Sequence, residues 1–219
     1  MISGGVDGLM KIWERDRVKF TIREHLAPVY TICRGEDQVF TGGAEGVVRM
    51  WNIKDFMEEE GPPVEEELHD DSIWELIYNS HSNMLVSSSS DDSLKLSRVS
   101  SSQSSLAEFH KITMKPYTPT SICFCSDSEI ACGTTSSPNI FLFDLEHPTK
   151  PQEFPFTSSE PNSQPNKLLE HRQTHQLISA HEDRYLRLFD RKSKNANIKN
   201  IVAHSDAVTG VSVKSEGGF

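Results

Sequence analysis

An all-β chain of successive four-stranded blades is predicted by two observations on the 219-residue sequence. The first is a recurring unit: small residues, an acidic or polar turn, then an alternating apolar strand that usually ends in an aromatic. It reads Ser3-Gly4-Gly5-Val6-Asp7 to Trp13, Thr41-Gly42-Gly43-Ala44-Glu45 to Trp51, Ser87-Ser88-Ser89-Ser90-Asp91 to Ser97, Gly133 to Phe143, and Ser179-Ala180-His181-Glu182-Asp183 to Phe189. The terminal positions 13, 51, 97, 143 and 189 lie 38, 46, 46 and 46 residues apart, close to the ~40 to 45 residues of a propeller blade. The second observation is a histidine followed by a short apolar strand, at His25 to Ile32, His69 to Tyr78 and His204 to Val211. These read as the first, innermost strands of successive blades. Together they predict a partial β-propeller of about five blades plus the first strand of a sixth. Such rings generally close with about seven blades and roughly 300 residues, so two unpaired edges are expected, which invite pairing with other chains.

Taken in order, the first blade is entered at Ser3 and its aromatic-tipped strand ends at Trp13. In the second, Val48-Arg49-Met50-Trp51 alternates as a half-buried strand should, with apolar and basic side chains on opposite faces. Residues 55–67 read as an acidic loop insertion, because Pro62-Pro63 resists both helix and ladder. The third blade runs from His69 to Ser97, where serine replaces the expected tryptophan. A Ser-rich inter-blade segment, 98–118, follows, then the fourth blade with Cys123 and Cys125 on one face of a strand. Residues 146–166 form a Pro- and Ser-rich inter-blade loop. All three connections are expected to be solvated. Leu186-Arg187-Leu188-Phe189 closes the fifth blade.

Composition narrows the function classes. Acidic residues number 32 against 22 basic ones, a net charge of -10, so no basic field is available for nucleic acid or anionic membranes. No run approaches the ~18 apolar residues of a membrane span, and Met1 to Asp7 has neither the basic nor the apolar region of a secretory signal. Four cysteines, Cys33, Cys123, Cys125 and Cys132, form no disulfide framework or CxxC pair. A soluble protein of the reducing cytoplasm is expected.

His25, Thr41, Glu45 and Trp51 match the polar network of a WD-repeat blade, in which an indole N–H, a hydroxyl, a histidine and an acid satisfy one another. The group recurs in part at His69, Ser87 and Asp91, and at His171, Ser179 and Asp183. The same residue types would suit a Ser-His-Asp hydrolase, but a catalytic group is needed once, and no G-x-S-x-G elbow accompanies it. The cysteines read as small buried hydrophobes rather than zinc ligands, and of His171, His175 and His181 two occupy ordinary repeat positions, so no metal site is expected there. No phosphate loop or dinucleotide fingerprint is found, so neither an enzyme nor a cofactor is expected. Partner binding is expected where the innermost strands begin. There Val29, Ile73 and Val208 point inward and their successors Tyr30, Trp74 and Thr209 point the other way, with Glu182 a charged neighbour.

The run Ile178-Ser179-Ala180-His181-Glu182-Asp183-Arg184-Tyr185-Leu186-Arg187-Leu188-Phe189-Asp190, followed by Val202 to Thr209, resembles the late blades of the striatin family. His69 to Tyr78 and Thr41 to Asn52 are similar to the preceding blades in the same order. The resemblance implies a cytoplasmic signalling scaffold, a regulatory subunit that gathers protein phosphatase 2A and Ste20-type kinases. In that family calmodulin binding lies upstream of the propeller. This sequence shows no basic amphipathic segment, so calmodulin binding is not expected of it, and it shows no coiled coil, the part that carries oligomerisation and phosphatase docking in that family.

Overall fold

Alternating apolar strands joined by tight turns produce five antiparallel sheets in sequence order, each built from strands that neighbour one another in the chain. The computed structural model describes residues 1–58, 61–100, 105–135, 137–154, 163–171, 174–191 and 197–212. The chain divides into two units, Met1–Lys115 and Pro116–Phe219.

The first unit opens with a three-stranded sheet, β1 (Ile2–Gly4), β2 (Met10–Glu14) and β3 (Arg17–Ile22). Two four-stranded blades follow. One holds β4 (Val29–Arg34), β5 (Gln38–Gly43), β6 (Val47–Asn52) and β7 (Val64–Glu67). The other holds β8 (Ile73–Asn79), β9 (Met84–Ser89), β10 (Ser93–Ser100) and β11 (Ser105–Thr113). The second unit has two such blades. They are β12 (Pro119–Phe124), β13 (Glu129–Thr134), β14 (Ile140–Asp144) and β15 (Gln152–Phe154), then β16 (Pro165–His171), β17 (Gln176–His181), β18 (Tyr185–Asp190) and β19 (Asn197–Val202).

Within each unit the apolar faces of neighbouring sheets close on each other. Met10, Ile12 and Ile22 of the first sheet pack with Val29, Val39 and Trp51 of the second. Phe40, Val48 and Met50 pack with Ile73, Leu76 and Leu85. In the second unit Ile140, Leu142 and Phe154 meet Leu168, Leu177 and Phe189. Each fully buried side chain of this size contributes roughly 1.5 to 3 kcal/mol, and these faces hold the blades in sequence.

Two irregularities repeat. The first strand of every four-stranded blade carries a register shift at its second residue: between Val29 and Thr31, Ile73 and Glu75, Pro119 and Ser121, and Pro165 and Lys167. The unpaired residues are Tyr30, Trp74, Thr120 and Asn166, and a bulge of this kind re-aims a side chain. The residue after each turn acid is left-handed, at Gly8 (φ 74), Gly46 (φ 74), Asp92 (φ 60) and Arg184 (φ 75).

Four sequence expectations are corrected. The acidic stretch 55–67 is not a plain loop. Helix α1 (Ile53–Glu58) occupies its start, with the Asn52 side chain accepting from the Lys54 N–H at 2.9 Å and Asp55 in the first turn. After Gly61-Pro62-Pro63, its last residues form the outer strand β7. Segment 98–118 holds β11, the nine-residue outer strand of its blade; Ser101 to Ser104 lie outside the described residues. Within 146–166, Gln152–Phe154 forms β15 and β16 starts at Pro165; 155–162 lie outside the described residues. Finally, among the described residues after Val202 no strand forms, although Val208 is buried and its N–H donates to the His181 carbonyl. An extended segment becomes a strand only when another pairs with it, and none is described there.

Candidate protein-interaction rim

The polar groups beneath the turns are built by loops that lead into first strands. His25 precedes β4 and reaches across to β5, its Nε2 2.8 Å from Thr41 Oγ1 and its Nδ1 3.1 Å from Glu45 Oε1. Trp51 at the end of β6 donates its indole N–H to the same Thr41 oxygen at 3.1 Å. His69 repeats the arrangement, with Ser87 Oγ at 2.7 Å and Asp91 Oδ2 at 2.9 Å. In the first sheet Trp13 donates to Ser3 Oγ at 2.8 Å.

Burial and then the Arg49 charge hold His25 below the usual histidine range. Burial also lowers His69, against the opposing pull of Asp91. Burial pushes Glu45 and Asp91 upward, but hydrogen bonds outweigh it. Those from Arg49 and His25 keep Glu45 low, and those from Ser93 and His69 keep Asp91 low.

The fifth group differs from the sequence expectation. His171 ends β16 and lies 3.0 Å from Thr174 Oγ1, away from Ser179. His181 takes its place, with Nε2 2.6 Å from Ser179 Oγ and Nδ1 3.1 Å from the Ser163 carbonyl. A carbonyl only accepts, so Nδ1 carries the proton and the Ser179 hydroxyl donates to Nε2. Burial, helped by Arg187, lowers His181 to about 4. Asp183 bonds Arg187 instead of a histidine. Burial would raise Asp183, but Arg187 brings it down to about 2. Chain spacing carried the signal: His25 and His69 stand 16 and 18 residues before their hydroxyl partners, whereas His171 is only 8 before Ser179.

Sequence reasoning also missed Arg49 and Arg187. Read as solvent-facing, both are buried, because Arg49 shares the side of Trp51, which packs on the first sheet, and Arg187 the side of Phe189, which packs on the fourth blade. Arg49 donates to Glu65 at 2.7 Å and to Glu45 at 2.9 Å, with Nη1 2.7 Å from His25 Nδ1. Arg187 pairs with Asp183. The legible signal was an acid four residues earlier, Glu45 before Arg49 and Asp183 before Arg187. In the fourth blade the pairing places Cys132 opposite Phe141, where the second and fifth blades have Thr41 opposite Arg49 and Ser179 opposite Arg187. An apolar contact replaces the polar group. Cys123 and Cys125 belong to an apolar cluster. Among the described residues no three His, Cys, Asp or Glu side chains gather as a metal site.

Above these groups lies the rim. The bulges aim Tyr30 and Trp74 outward, 42% and 39% exposed, while Val29 and Ile73 beside them are buried. The two rings stack across neighbouring blades, centroids 5.1 Å apart and planes 14° apart. Trp74 donates its indole N–H to Ser90 Oγ at 2.7 Å. Trp74 thus packs between blades and faces solvent at once. In the second unit Asn166 Nδ2 donates to Glu182 Oε2 at 2.9 Å and to the Val208 carbonyl at 3.1 Å. Glu182 occupies the turn position of Ser90, so both bulge residues reach the residue before the turn acid. Thr209 is exposed beside Val208. Thr120 and Asn166, bulge residues preceded by proline rather than a histidine turn, went unrecognised in sequence.

The WD40 family (WD domain, G-beta repeat) matches residues 65–96, the stretch holding His69, Ser87 and Asp91. Human Striatin-3 is 25% identical over 99% of this chain and 30% of its own length. Human Striatin-4 is 25% identical over 100% of the chain and 32% of its own. The Striatin homolog of Dictyostelium discoideum is 27% identical over 99% and 31%. A chain of the crystal structure of the Mitotic Checkpoint Complex superposes with a TM-score of 0.79 at 16% identity, covering 95% of this chain and 63% of that one, a likeness of fold. The resemblance to striatins therefore runs through the whole chain, which spans about a third of the length of these relatives. The fold is that of WD-repeat propeller blades.

Proposed function

We propose that this chain is a non-catalytic protein-interaction scaffold whose rim residues Tyr30, Trp74, Glu182 and Thr209 receive protein partners. By its likeness to striatins, it serves the assembly of protein phosphatase 2A with Ste20-type kinases in cytoplasmic signalling. The observation that carries the reading is the exposed Tyr30–Trp74 stack. Aromatic residues supply binding energy when a partner covers them. The hydroxyls that a hydrolase would need lie beneath, with Thr41 0%, Ser87 1% and Ser179 0% exposed, and a sealed hydroxyl meets no substrate. The test is affinity purification of the tagged chain from cells, with the phosphatase 2A catalytic subunit and Ste20-type kinases quantified in the eluate. Both are expected well above a tag-only control. Recovery of neither, or ester or peptide hydrolysis abolished by Ser179→Ala or Ser87→Ala, would overturn the reading.

A further inference from the structure

The Tyr30–Trp74 stack sits in a one-signed electrostatic setting. Turns and entry loops meet at this end of the first unit through backbone bonds from Val29 to Gly5, Ala44 to Pro28, His69 to Gly46 and Ser90 to Ser72. Across residues 5–8, 24–28, 44–46, 68–72 and 90–92 the sequence has seven carboxylates and no lysine or arginine. Two of the seven are engaged below the surface, Glu45 with Arg49 and Asp91 with His69. Asp7, Asp70 and Asp71 are exposed. Asp71 is tied to the stack by a short path: its carbonyl accepts from Ser89 Oγ at 3.1 Å, and the next residue, Ser90, holds the Trp74 indole. Leu26, 91% exposed, and Val6, 82% exposed, add apolar surface in the same loops.

Aromatic faces attract cations, most strongly on tryptophan, and a planar guanidinium both stacks on such a ring and forks onto a carboxylate. The indole N–H is already spent on Ser90, so the ring offers its face rather than a donor.

We propose that this rim is an arginine-recognition site, taking an extended segment of a partner protein whose arginine side chain lies against the Tyr30–Trp74 pair and within reach of Asp70 and Asp71. The proposal rests on the interaction-scaffold reading and names the chemistry of its partner. An acidic or phosphorylated segment is excluded by the same charges, since like-charge juxtaposition opposes docking.

The test uses the full chain and two fluorescein-labelled peptides with an Ala/Gly frame, one carrying two arginines and the other two citrullines, which keep the shape and lose the charge. Anisotropy titrations are expected to show the arginine peptide binding about tenfold or more tighter than the citrulline peptide. Rising salt should narrow that difference. Trp74→Ala should weaken the arginine peptide by about tenfold or more, with Trp74→Phe retaining most of the affinity. Equal affinity for the two peptides on the unaltered chain, or no binding of the arginine peptide, would overturn the proposal without relying on any variant. Phosphatase and kinase recovery alongside equal peptide affinities would leave the scaffold reading standing and this one refuted. Arginine-selective binding without that recovery would do the reverse.

Discussion

Thr41 is the joint of its blade, accepting from the Trp51 indole while bonding the His25 imidazole. Thr41→Ala removes the partner of two buried groups at once, and a stranded buried donor costs about 1 to 3 kcal/mol. Thr149→Ala, the same chemical change at an exposed position, should shift stability by less than ~0.5 kcal/mol. Denaturant midpoints of the two variants should differ accordingly, and coincident midpoints would count against the network. His181 carries a pH signature. Its folded pKa, about 4, lies below the ordinary 6.5, so the unfolded chain binds its proton first. Its contribution is complete above about pH 6.5 and is lost as pH falls toward about 4, amounting to roughly 2 to 4 kcal/mol. The lowered His25 and His69 act in the same direction. Midpoints measured down this range should fall, and His181→Gln should flatten part of the slope while lowering stability at neutral pH. A wild-type stability that does not change between those limits would contradict the assignment.

At the scale of the strand and turn, the blade unit was legible because its signals are local. Strand alternation, glycine turns and the hydroxyl–acid spacing lie within one hairpin, and the blade strands form where the repeat places them. Gly46, which ends the turn Gly43-Ala44-Glu45-Gly46, is required twice over. Its φ is left-handed, and an added Cβ would come within 2.2 Å of the His69 carbonyl oxygen. What stayed hidden depends on pairing partners far along the chain. The acidic stretch after Asp55 read as loop because Pro62-Pro63 dominates it. Yet Val64–Glu67 finds an edge on β6, and Glu65 finds Arg49. Arg187 read as exposed because it stands opposite Leu186 and Leu188, whereas it shares the side of Phe189, and only the packing of that side on the fourth blade shows it covered. The bulges were invisible for the same reason: Val208 and Thr209 obey the alternation of Val29 and Tyr30, but only pairing with a second strand shows that Tyr30 stands outside the ladder.

The whole molecule adds a question that no single blade poses, namely what covers the sheet faces not packed within a unit. In the fifth blade Leu168, Leu177 and Phe189 belong to the core shared with the fourth. Alternation turns Leu169, Ile178 and Leu188, directly opposite one another, to the other face. Ala180, Leu186 and Ile201 form the adjoining row. Leu169, Ile178, Leu186 and Leu188 are partly accessible and Ile201 is 37% exposed. A contiguous apolar face of this kind, carried on a sheet whose last strand pairs on one side among the described residues, favours association with a further sheet. In the isolated chain the sheet at hand is a second copy, so sedimentation velocity should show the average mass rising with concentration. Ile201→Lys, at the accessible end of the face, should weaken that association by about tenfold by forcing a charge into the contact. It should leave the circular dichroism of the chain unchanged, because the side chain is not part of the shared core. A concentration-independent monomer would show that the face is satisfied within the chain itself.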